Sequence, residues 1–182
     1  MVQESPSFNS KVTVTTIPLD HRVYTNGFLF QEKVGPRKLE VQAVQAHGID
    51  ACYYQNIKDG KDAPNSAGKL IPNAQLSSDP KAVKSYAFCS DTAYFPEIIP
   101  QIKGVTALYH ESTFLETEAD LATKTKHSTA QQAAKIAHAA IVETLILGHY
   151  STRYDGLELF KEEAELNFKP VLLADDGRTF EF

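Results

Sequence analysis

The chain has 182 residues, a formal net charge of −5 and no tryptophan. This length suits one domain with a sizeable core, and the acidic balance argues weakly against a protein that binds nucleic acid over its whole surface. No apolar run approaches the ~18–20 residues that cross a membrane, and the first ten residues lack the basic-then-apolar order of a signal peptide. We therefore expect no membrane partner. Two cysteines, Cys52 and Cys89, make no disulfide framework, so we expect a cytoplasmic protein.

Charge is spread unevenly along the chain. Residues 33–84 contain eight basic and five acidic residues, a local net charge of +3, whereas residues 85–182 contain eight basic and fifteen acidic residues. Such a basic segment can bind a polyanion although the whole chain is acidic, but a solvated loop explains a charge of +3 equally well. The same segment has little core-forming sequence, which predicts an insertion that projects from the domain.

The N-terminal part reads as a hairpin. Residues 11–17 alternate between apolar and polar side chains, and Asn26-Gly27 is typical of a turn into a second strand over residues 28–31. His21 is expected near the bend of this hairpin. A short helix over residues 38–46 follows, ended by Gly48.

Three apolar runs further along each lead to an acidic or histidine residue. The runs 84–89, 105–109 and 144–148 precede Asp91, His110 and His149, respectively. Runs of this length are typical of strands buried on both faces, and ligands gather beyond the carboxyl ends of such strands in α/β sheets. Because zinc accepts aspartate and histidine as ligands, the sequence predicts an α/β fold with a shared site of zinc type.

Helices and a second hairpin are predicted between and after these runs. Residues 130–140 form an alanine-rich helix with Ser128 or Thr129 as its cap, and residues 156–167 form an amphipathic helix capped by Asp155. Residues 117–125 are helix or loop. Residues 171–174 and 179–182 predict a closing hairpin around an Asp-Asp-Gly turn.

The six histidines differ in their expected roles. A histidine at the end of a strand is more often a hydrogen-bonded structural residue than a ligand. His138 falls within a helix beside alanines and His47 within the basic segment, so both are interpreted as packed or surface residues. His21 and His149 fall at element ends, where a ligand is expected.

Four motifs, in this order and with suitable gaps, resemble ribonuclease Z, the tRNA 3′-processing endonuclease of the metallo-β-lactamase superfamily. The Pro18-Leu19-Asp20-His21 segment also resembles that family. The resemblance covers almost the whole chain from Val12 onward. The four motifs are Ser90-Asp91-Thr92, His110-Glu111-Ser112-Thr113, His127-Ser128-Thr129 and Gly148-His149-Tyr150-Ser151-Thr152-Arg153-Tyr154.

The resemblance implies a zinc-dependent endoribonuclease that removes the 3′ trailer from precursor tRNA by phosphodiester hydrolysis and leaves a 3′-hydroxyl on the tRNA. It implies that His21 and His149 bind two different Zn²⁺ ions and that Asp91 bridges them. Glu111 and His127 match the family's acid/base pair, which helps to protonate the leaving oxygen, whereas His110 is interpreted as structural. Two metal ions ~3.5–4 Å apart suit an in-line phosphodiester displacement.

The resemblance also gives the basic segment a role. Residues 34–82 occupy the place of the family's flexible arm, an exosite that grips tRNA, and Lys58, Lys61 and Lys69 are the expected substrate-binding residues. The chain 1–182 is then a single, partial metallo-β-lactamase-like domain with this arm inserted. Its expected fold is the C-terminal half of an αββα sandwich.

One family motif is absent. The His-x-His-x-Asp-His zinc motif does not occur in the sequence, so neither zinc has its full ligand set. We therefore expect weak or no zinc binding and negligible catalysis by the chain alone. Uncovered sheet and helix faces would favour a homodimer or pairing with a complementary N-terminal half.

Three functions remain open from the sequence. The chain is part of the enzyme, a non-catalytic module that binds tRNA or a partner, or an unrelated α/β domain with structural histidines. The absent motif favours the second reading. The five retained site residues favour the first: His21, Asp91, Glu111, His127 and His149.

Overall fold

Two units make up residues 11–182, the part of the chain that the computed structural model describes. The first, the sheet unit, comprises residues 11–32 and 84–182, and the second, the inserted unit, comprises residues 33–83. No helix within residues 11–182 is long and apolar enough to cross a membrane. The prediction that no signal peptide precedes the domain concerns residues 1–10, which lie outside the described residues.

The secondary structure contains ten strands and five α-helices within the described residues. The strands are β1 (Val12–Leu19), β2 (Thr25–Glu32), β3 (Lys38–Leu39), β4 (Ala63–Pro64), β5 (Leu70–Ile71), β6 (Ser77–Ser78), β7 (Ser85–Cys89), β8 (Ala107–Glu111), β9 (Thr144–Gly148) and β10 (Val171–Leu173). The helices are α1 (Val41–Ala46), α2 (Tyr54–Lys58), α3 (Ala119–Thr125), α4 (Ala130–Ala140) and α5 (Glu158–Ala164).

One six-stranded sheet organises the sheet unit, in the order β1-β2-β7-β8-β9-β10. The β1–β2 hairpin is antiparallel, β2 pairs antiparallel with β7, and the strands from β7 to β10 run parallel. The parallel strands therefore point their carboxyl ends to the same edge, as the sequence predicts. Strand β8 extends two residues beyond the predicted end, because His110 and Glu111 continue the pairing with Leu147 and Gly148 of β9.

The helices α4 and α5 contribute to the core of the sheet unit. Buried side chains from every second position of the central strands, such as Leu29, Ala87 and Leu108, cluster with Ile136 of α4 and Phe160 of α5. The predicted cap of α4 is confirmed, since the Thr129 side chain accepts a hydrogen bond from the Gln132 N–H in a capping box.

Aromatic side chains alternate with these core residues and therefore occupy the opposite face of the sheet. Ring centroids lie 6.0 Å apart for Phe30 and Tyr86, and 4.7 Å apart for Phe88 and Tyr109. Phe28 on this face is 40% exposed. We call this surface the aromatic face.

Two C-terminal predictions are wrong. Residues 179–182 form no strand, and β10 pairs in parallel with β9. The chain crosses the sheet instead, because the ring of Phe182 stacks on that of Tyr86, 5.9 Å away. Asp155 does not cap α5, whose N-cap position is Leu157 without a side-chain hydrogen bond.

The inserted unit has a core of its own, contrary to the expectation of a segment with little core. Six buried side chains form it: Val44, Ile49, Ile57, Ala63, Ile71 and Leu76. Asn73 ties its loops together, since the side-chain amide donates to the carbonyls of Ile57 and Lys61 and its amide oxygen accepts from the Ser77 hydroxyl. These apolar residues have no regular spacing, so the sequence shows no helical or strand period.

Candidate metal centre

Asp91 and His149 follow the carboxyl ends of β7 and β9 in an unusual backbone conformation. Their φ angles are 56° and 60°, in the left-handed region that a residue with a Cβ rarely adopts. Each such residue costs about 1–3 kcal/mol and persists where the surrounding structure imposes it, often at a functional site. The strain at both positions supports a functional role for this edge of the sheet.

Four side chains converge at this edge. Each of Asp91, Glu111, His127 and His149 offers a ligand atom, and these atoms lie within 4.8 Å of one another. The Nε2 atom of His149 is 3.2 Å from Oδ1 of Asp91, and the rings of His127 and His149 stack with centroids 5.3 Å apart. A carboxylate beside imidazoles is a donor set that zinc accepts.

Glu111 is the buried anchor of this group, with no exposed surface. Its Oε1 accepts hydrogen bonds from the Thr92 N–H at 2.7 Å and from Nδ1 of His127 at 2.8 Å. Its Oε2 accepts from the Thr113 hydroxyl at 2.6 Å and from the Ser128 N–H at 3.0 Å. Because both oxygens are occupied by protein donors, Glu111 orients its neighbours and does not itself fit the role of a metal ligand.

The same contacts set the charges of the pair. Burial of the Glu111 carboxylate raises its pKa, but the hydrogen bonds from His127, Thr113 and Ser128 together outweigh burial and hold the pKa below its ordinary value. The hydrogen bond to Glu111 raises the pKa of His127 above its ordinary value, against the opposing effect of burial. Glu111 is therefore an anion that favours the protonated form of His127.

The stability of the protein should depend on pH through this pair. Since folding raises the pKa of His127 above 6.5, its contribution is complete below pH 6.5 and is lost as the pH rises through the folded-state pKa. Since folding lowers the pKa of Glu111 below 4.5, its contribution is present above pH 4.5 and is lost as the pH falls through the folded-state pKa. We expect His127→Gln to destabilise the protein most between these two pH values, measured by urea unfolding.

A histidine variant on the protein surface provides the control for this pH dependence. His138 is exposed on α4, so His138→Gln should change the free energy of unfolding by no more than about 0.5 kcal/mol. A constant difference between the wild type and His127→Gln across the same range would contradict the coupling of His127 to Glu111.

His21 lies at the same edge, just after β1. Its ring centroid is 5.1 Å from that of His127, and its Nδ1 lies 2.8 Å from the main-chain carbonyl oxygen of Lys126. Lys126 also reaches Asp20, since its Nζ is 2.7 Å from Oδ2. His21 is not among the four residues grouped by ligand-atom distance, but its ring adjoins that group.

The structure thus places five sequence-predicted residues at one edge of the sheet: His21, Asp91, Glu111, His127 and His149. His110 is fully buried, with Nδ1 bonded to the main-chain oxygen of Glu111, and it lies outside the group. Lys58, Lys61 and Lys69 belong to the inserted unit. The sequence analysis did not predict the contacts that Thr92 and Lys126 make at the site, and no pattern of residues in the sequence indicates them.

The chain has relatives among known proteins, although no protein-family model matches it. Over 166 residues, 91% of the chain, it is 43% identical to a ribonuclease Z from Parabacteroides distasonis, and over 168 residues it is 41% identical to one from Porphyromonas gingivalis. The chain is a homologue of ribonuclease Z. It spans about half the length of these relatives, 55% in both cases.

Solved structures agree on the fold. The metallo-β-lactamase fold protein YhfI from Bacillus subtilis has a TM-score of 0.62 at 17% identity, covering 97% of this chain and 52% of that one. Human tRNase Z, short form, has a TM-score of 0.53 at 19% identity, covering 96% and 44%. The predicted fold class is confirmed: this homologue of ribonuclease Z has part of a metallo-β-lactamase fold.

Proposed function

We propose that this chain is the C-terminal, metal-binding portion of a zinc-dependent endoribonuclease that removes the 3′ trailer from precursor tRNA. The observation that carries the proposal is that two candidate zinc ligands, Asp91 and His149, and a hydrogen-bonded acid/base pair, Glu111 and His127, converge within 4.8 Å at the ends of parallel strands. The 43% identity to ribonuclease Z supports the reaction class and the substrate. The expected products are a tRNA with a 3′-hydroxyl and the released trailer.

In this proposal His127 is the proton donor. Its Nδ1 is held by Glu111, so the ring cannot turn away from the edge of the sheet, and its pKa is raised. A protonated imidazole placed beside the departing 3′ oxygen can neutralise the charge that develops there, which contributes about 10²–10⁴-fold to the rate. Glu111 positions His127 and keeps it protonated.

Asp91, His149 and His21 are the residues that would hold zinc. The chemical type of these side chains suits zinc, because carboxylate oxygens and neutral imidazoles are ligands that zinc prefers. Asp91 would have one oxygen available for each of two ions. When bound, zinc would act as a Lewis acid on the phosphodiester oxygens. Because these three side chains do not complete two four-coordinate sites, we expect weak zinc binding and negligible cleavage by the chain alone.

The remaining ligands would come from a complementary portion of ribonuclease Z that pairs with this chain. The aromatic face supports such pairing, because exposed apolar surfaces of this kind mark interaction sites. Phe28 is 40% exposed there, and Phe182, 39% exposed, stacks on Tyr86.

A complementation assay tests the proposed function. The purified chain is incubated with zinc and a precursor tRNA carrying a 3′ trailer, alone and mixed with the N-terminal portion of a ribonuclease Z that carries the His-x-His-x-Asp-His motif. We expect cleavage at the trailer junction only in the mixture, and a chelator should abolish it. Cleavage by the chain alone would contradict the assigned ligands, and no cleavage in either sample would contradict the proposed function.

A second candidate function is a non-catalytic module that binds precursor tRNA. Its support is the inserted unit, which has its own core and carries exposed Lys61 and Lys69 with half-buried Lys58. Lysines attract phosphates by charge, and a binding arm of this kind supplies affinity without reading bases. In the enzyme reading the same unit serves as the exosite for tRNA.

Replacing Lys58, Lys61 and Lys69 with alanine together should weaken binding of precursor tRNA to the reassembled enzyme. For each phosphate that the variant no longer neutralises, the dependence of log K on log salt should become shallower by about 0.7–0.9. Hydrolysis of a small phosphodiester should stay unchanged, because it does not use the exosite. The measurement is the binding constant at several salt concentrations.

The matched control replaces three exposed lysines of the sheet unit, Lys103, Lys135 and Lys169, with alanine. It removes the same net charge, so an equal loss of affinity in both variants would mean that only total charge matters. That result would count against an exosite in the inserted unit.

A further inference from the structure

The Thr113 hydroxyl joins two members of the candidate metal centre. Its oxygen lies 2.6 Å from Oε2 of Glu111 and 2.9 Å from Nδ1 of His149. Thr113 is only 7% exposed, so water has little access to these bonds. The carboxylate of Glu111 and the ring of His149 are therefore connected through one hydroxyl group.

The direction of these hydrogen bonds follows from the chemistry of the groups. Main-chain N–H groups of Thr92 and Ser128 donate to the two oxygens of Glu111. Against the opposing effect of burial, the hydrogen bonds to Glu111 hold its pKa below the ordinary value, so Glu111 is an ionised carboxylate that can only accept. The Thr113 hydroxyl must then give its single proton to Glu111. Towards His149 it has only lone pairs left, and Nδ1 of His149 must carry the hydrogen.

We propose that Thr113 is a positioning residue that fixes His149 as the Nδ1–H tautomer, so that its Nε2 lone pair would be available to a metal ion held together with Asp91. This inference deepens the proposed function, since it concerns the same centre. Glu111 thereby orients two histidines: it hydrogen-bonds to His127 directly and acts on His149 through the Thr113 hydroxyl. A histidine ligand held through its second nitrogen is better oriented and more basic towards a metal.

The Nε2 atom of His149 lies 3.2 Å from Oδ1 of Asp91, on the opposite side of the ring from Thr113. A carboxylate can only accept, so without a metal ion Asp91 competes for a hydrogen on Nε2, and a test of the Thr113 contact has to remove that carboxylate. The main chain adds a further tie, because the N–H of Ser151 donates to the carbonyl oxygen of Thr113 at 3.1 Å. The loop that carries His149 is thus held to Thr113 by both its main chain and its side chain.

His21 and His127 provide internal comparisons for the same measurement. Nδ1 of His21 faces the carbonyl oxygen of Lys126, and Nδ1 of His127 faces Glu111, and both partners can only accept. All three rings should therefore carry the hydrogen on Nδ1, but only the tautomer of His149 should depend on Thr113.

Long-range ¹H–¹⁵N NMR of the ¹⁵N-labelled chain tests the proposal without metal or substrate, at a pH where the rings are neutral. All samples carry Asp91→Asn, which removes the competing carboxylate beside Nε2. With Thr113 intact, His149 should be protonated at Nδ1. Thr113→Val removes the hydroxyl at nearly constant volume, and His149 should lose the Nδ1–H signature while His127 and His21 keep theirs. Thr113→Ser keeps the hydroxyl and should retain it.

Three results would overturn the proposal: His149 protonated at Nε2 in the Asp91→Asn chain with Thr113 intact, an unchanged tautomer after Thr113→Val, or a tautomer after Thr113→Ser that matches the valine variant. If Thr113→Val does not fold, the Asp91→Asn spectrum and Thr113→Ser still decide the outcome. Because no cleavage is measured, a failure of the proposed nuclease activity leaves this test unaffected.

Discussion

Replacing His127 with glutamine should slow trailer cleavage by the reassembled enzyme about 10²–10⁴-fold, the usual contribution of a general acid. Glutamine can still hydrogen-bond to Glu111, so the buried carboxylate keeps a partner, but it has no proton to give to a departing oxygen. The measurement is the single-turnover rate on a precursor tRNA. The control is His138→Gln on the exposed surface of α4, which should cleave at the wild-type rate.

The leaving group separates proton donation from a general loss of structure. A p-nitrophenyl phosphodiester releases an anion that is stable without a proton, so His127→Gln should hydrolyse it at close to the wild-type rate. An equal loss on the tRNA and the nitrophenyl substrate would contradict the role of His127 as general acid. It would assign His127 to metal binding or to the integrity of the site.

Replacing Glu111 with alanine should lower the free energy of unfolding by about 3–5 kcal/mol, the cost of breaking a buried charged pair by removing one partner. The buried N–H groups of Thr92 and Ser128 and the hydroxyl of Thr113 would lose their acceptor at a position to which water has little access. Urea unfolding at neutral pH measures the change.

Glu143 provides the matched control for this loss, since its side chain is exposed just before β9. Glu143→Ala should change the free energy of unfolding by no more than about 0.5 kcal/mol. Similar small values for both variants would mean that Glu111 contributes charge to the site without anchoring the loops around it.

The parallel strands were predictable because their apolar runs are continuous and bounded by polar residues. Residues 144–148 form β9 with the predicted bounds, and α4 begins after Thr129 as its capping motif indicates. The shared edge follows from chain direction alone, since parallel strands end on the same side. Strand direction and sequence position therefore suffice to place Asp91 and His149 together.

Contacts that depend on the tertiary fold were not predictable. The chain after β10 was predicted to return as a strand. It crosses the sheet instead, and the ring of Phe182 stacks on that of Tyr86, a residue distant in sequence. The core of the inserted unit consists of apolar residues whose spacing in the sequence follows neither the helical nor the strand period. Within the site, the donors to Glu111 include main-chain N–H groups, whose position no side-chain pattern can indicate.

The inserted unit leaves and re-enters the sheet unit at neighbouring points. The N–H of Glu32 donates to the carbonyl oxygen of Lys84 at 2.9 Å, and the N–H of Lys84 donates to the Glu32 carboxylate at 2.8 Å. The β2–β7 pair is thus a hairpin whose connection is the whole inserted unit. Because both ends of this connection are joined within the sheet unit, we expect a change in the length of the insertion to leave the strand register and the site edge unchanged.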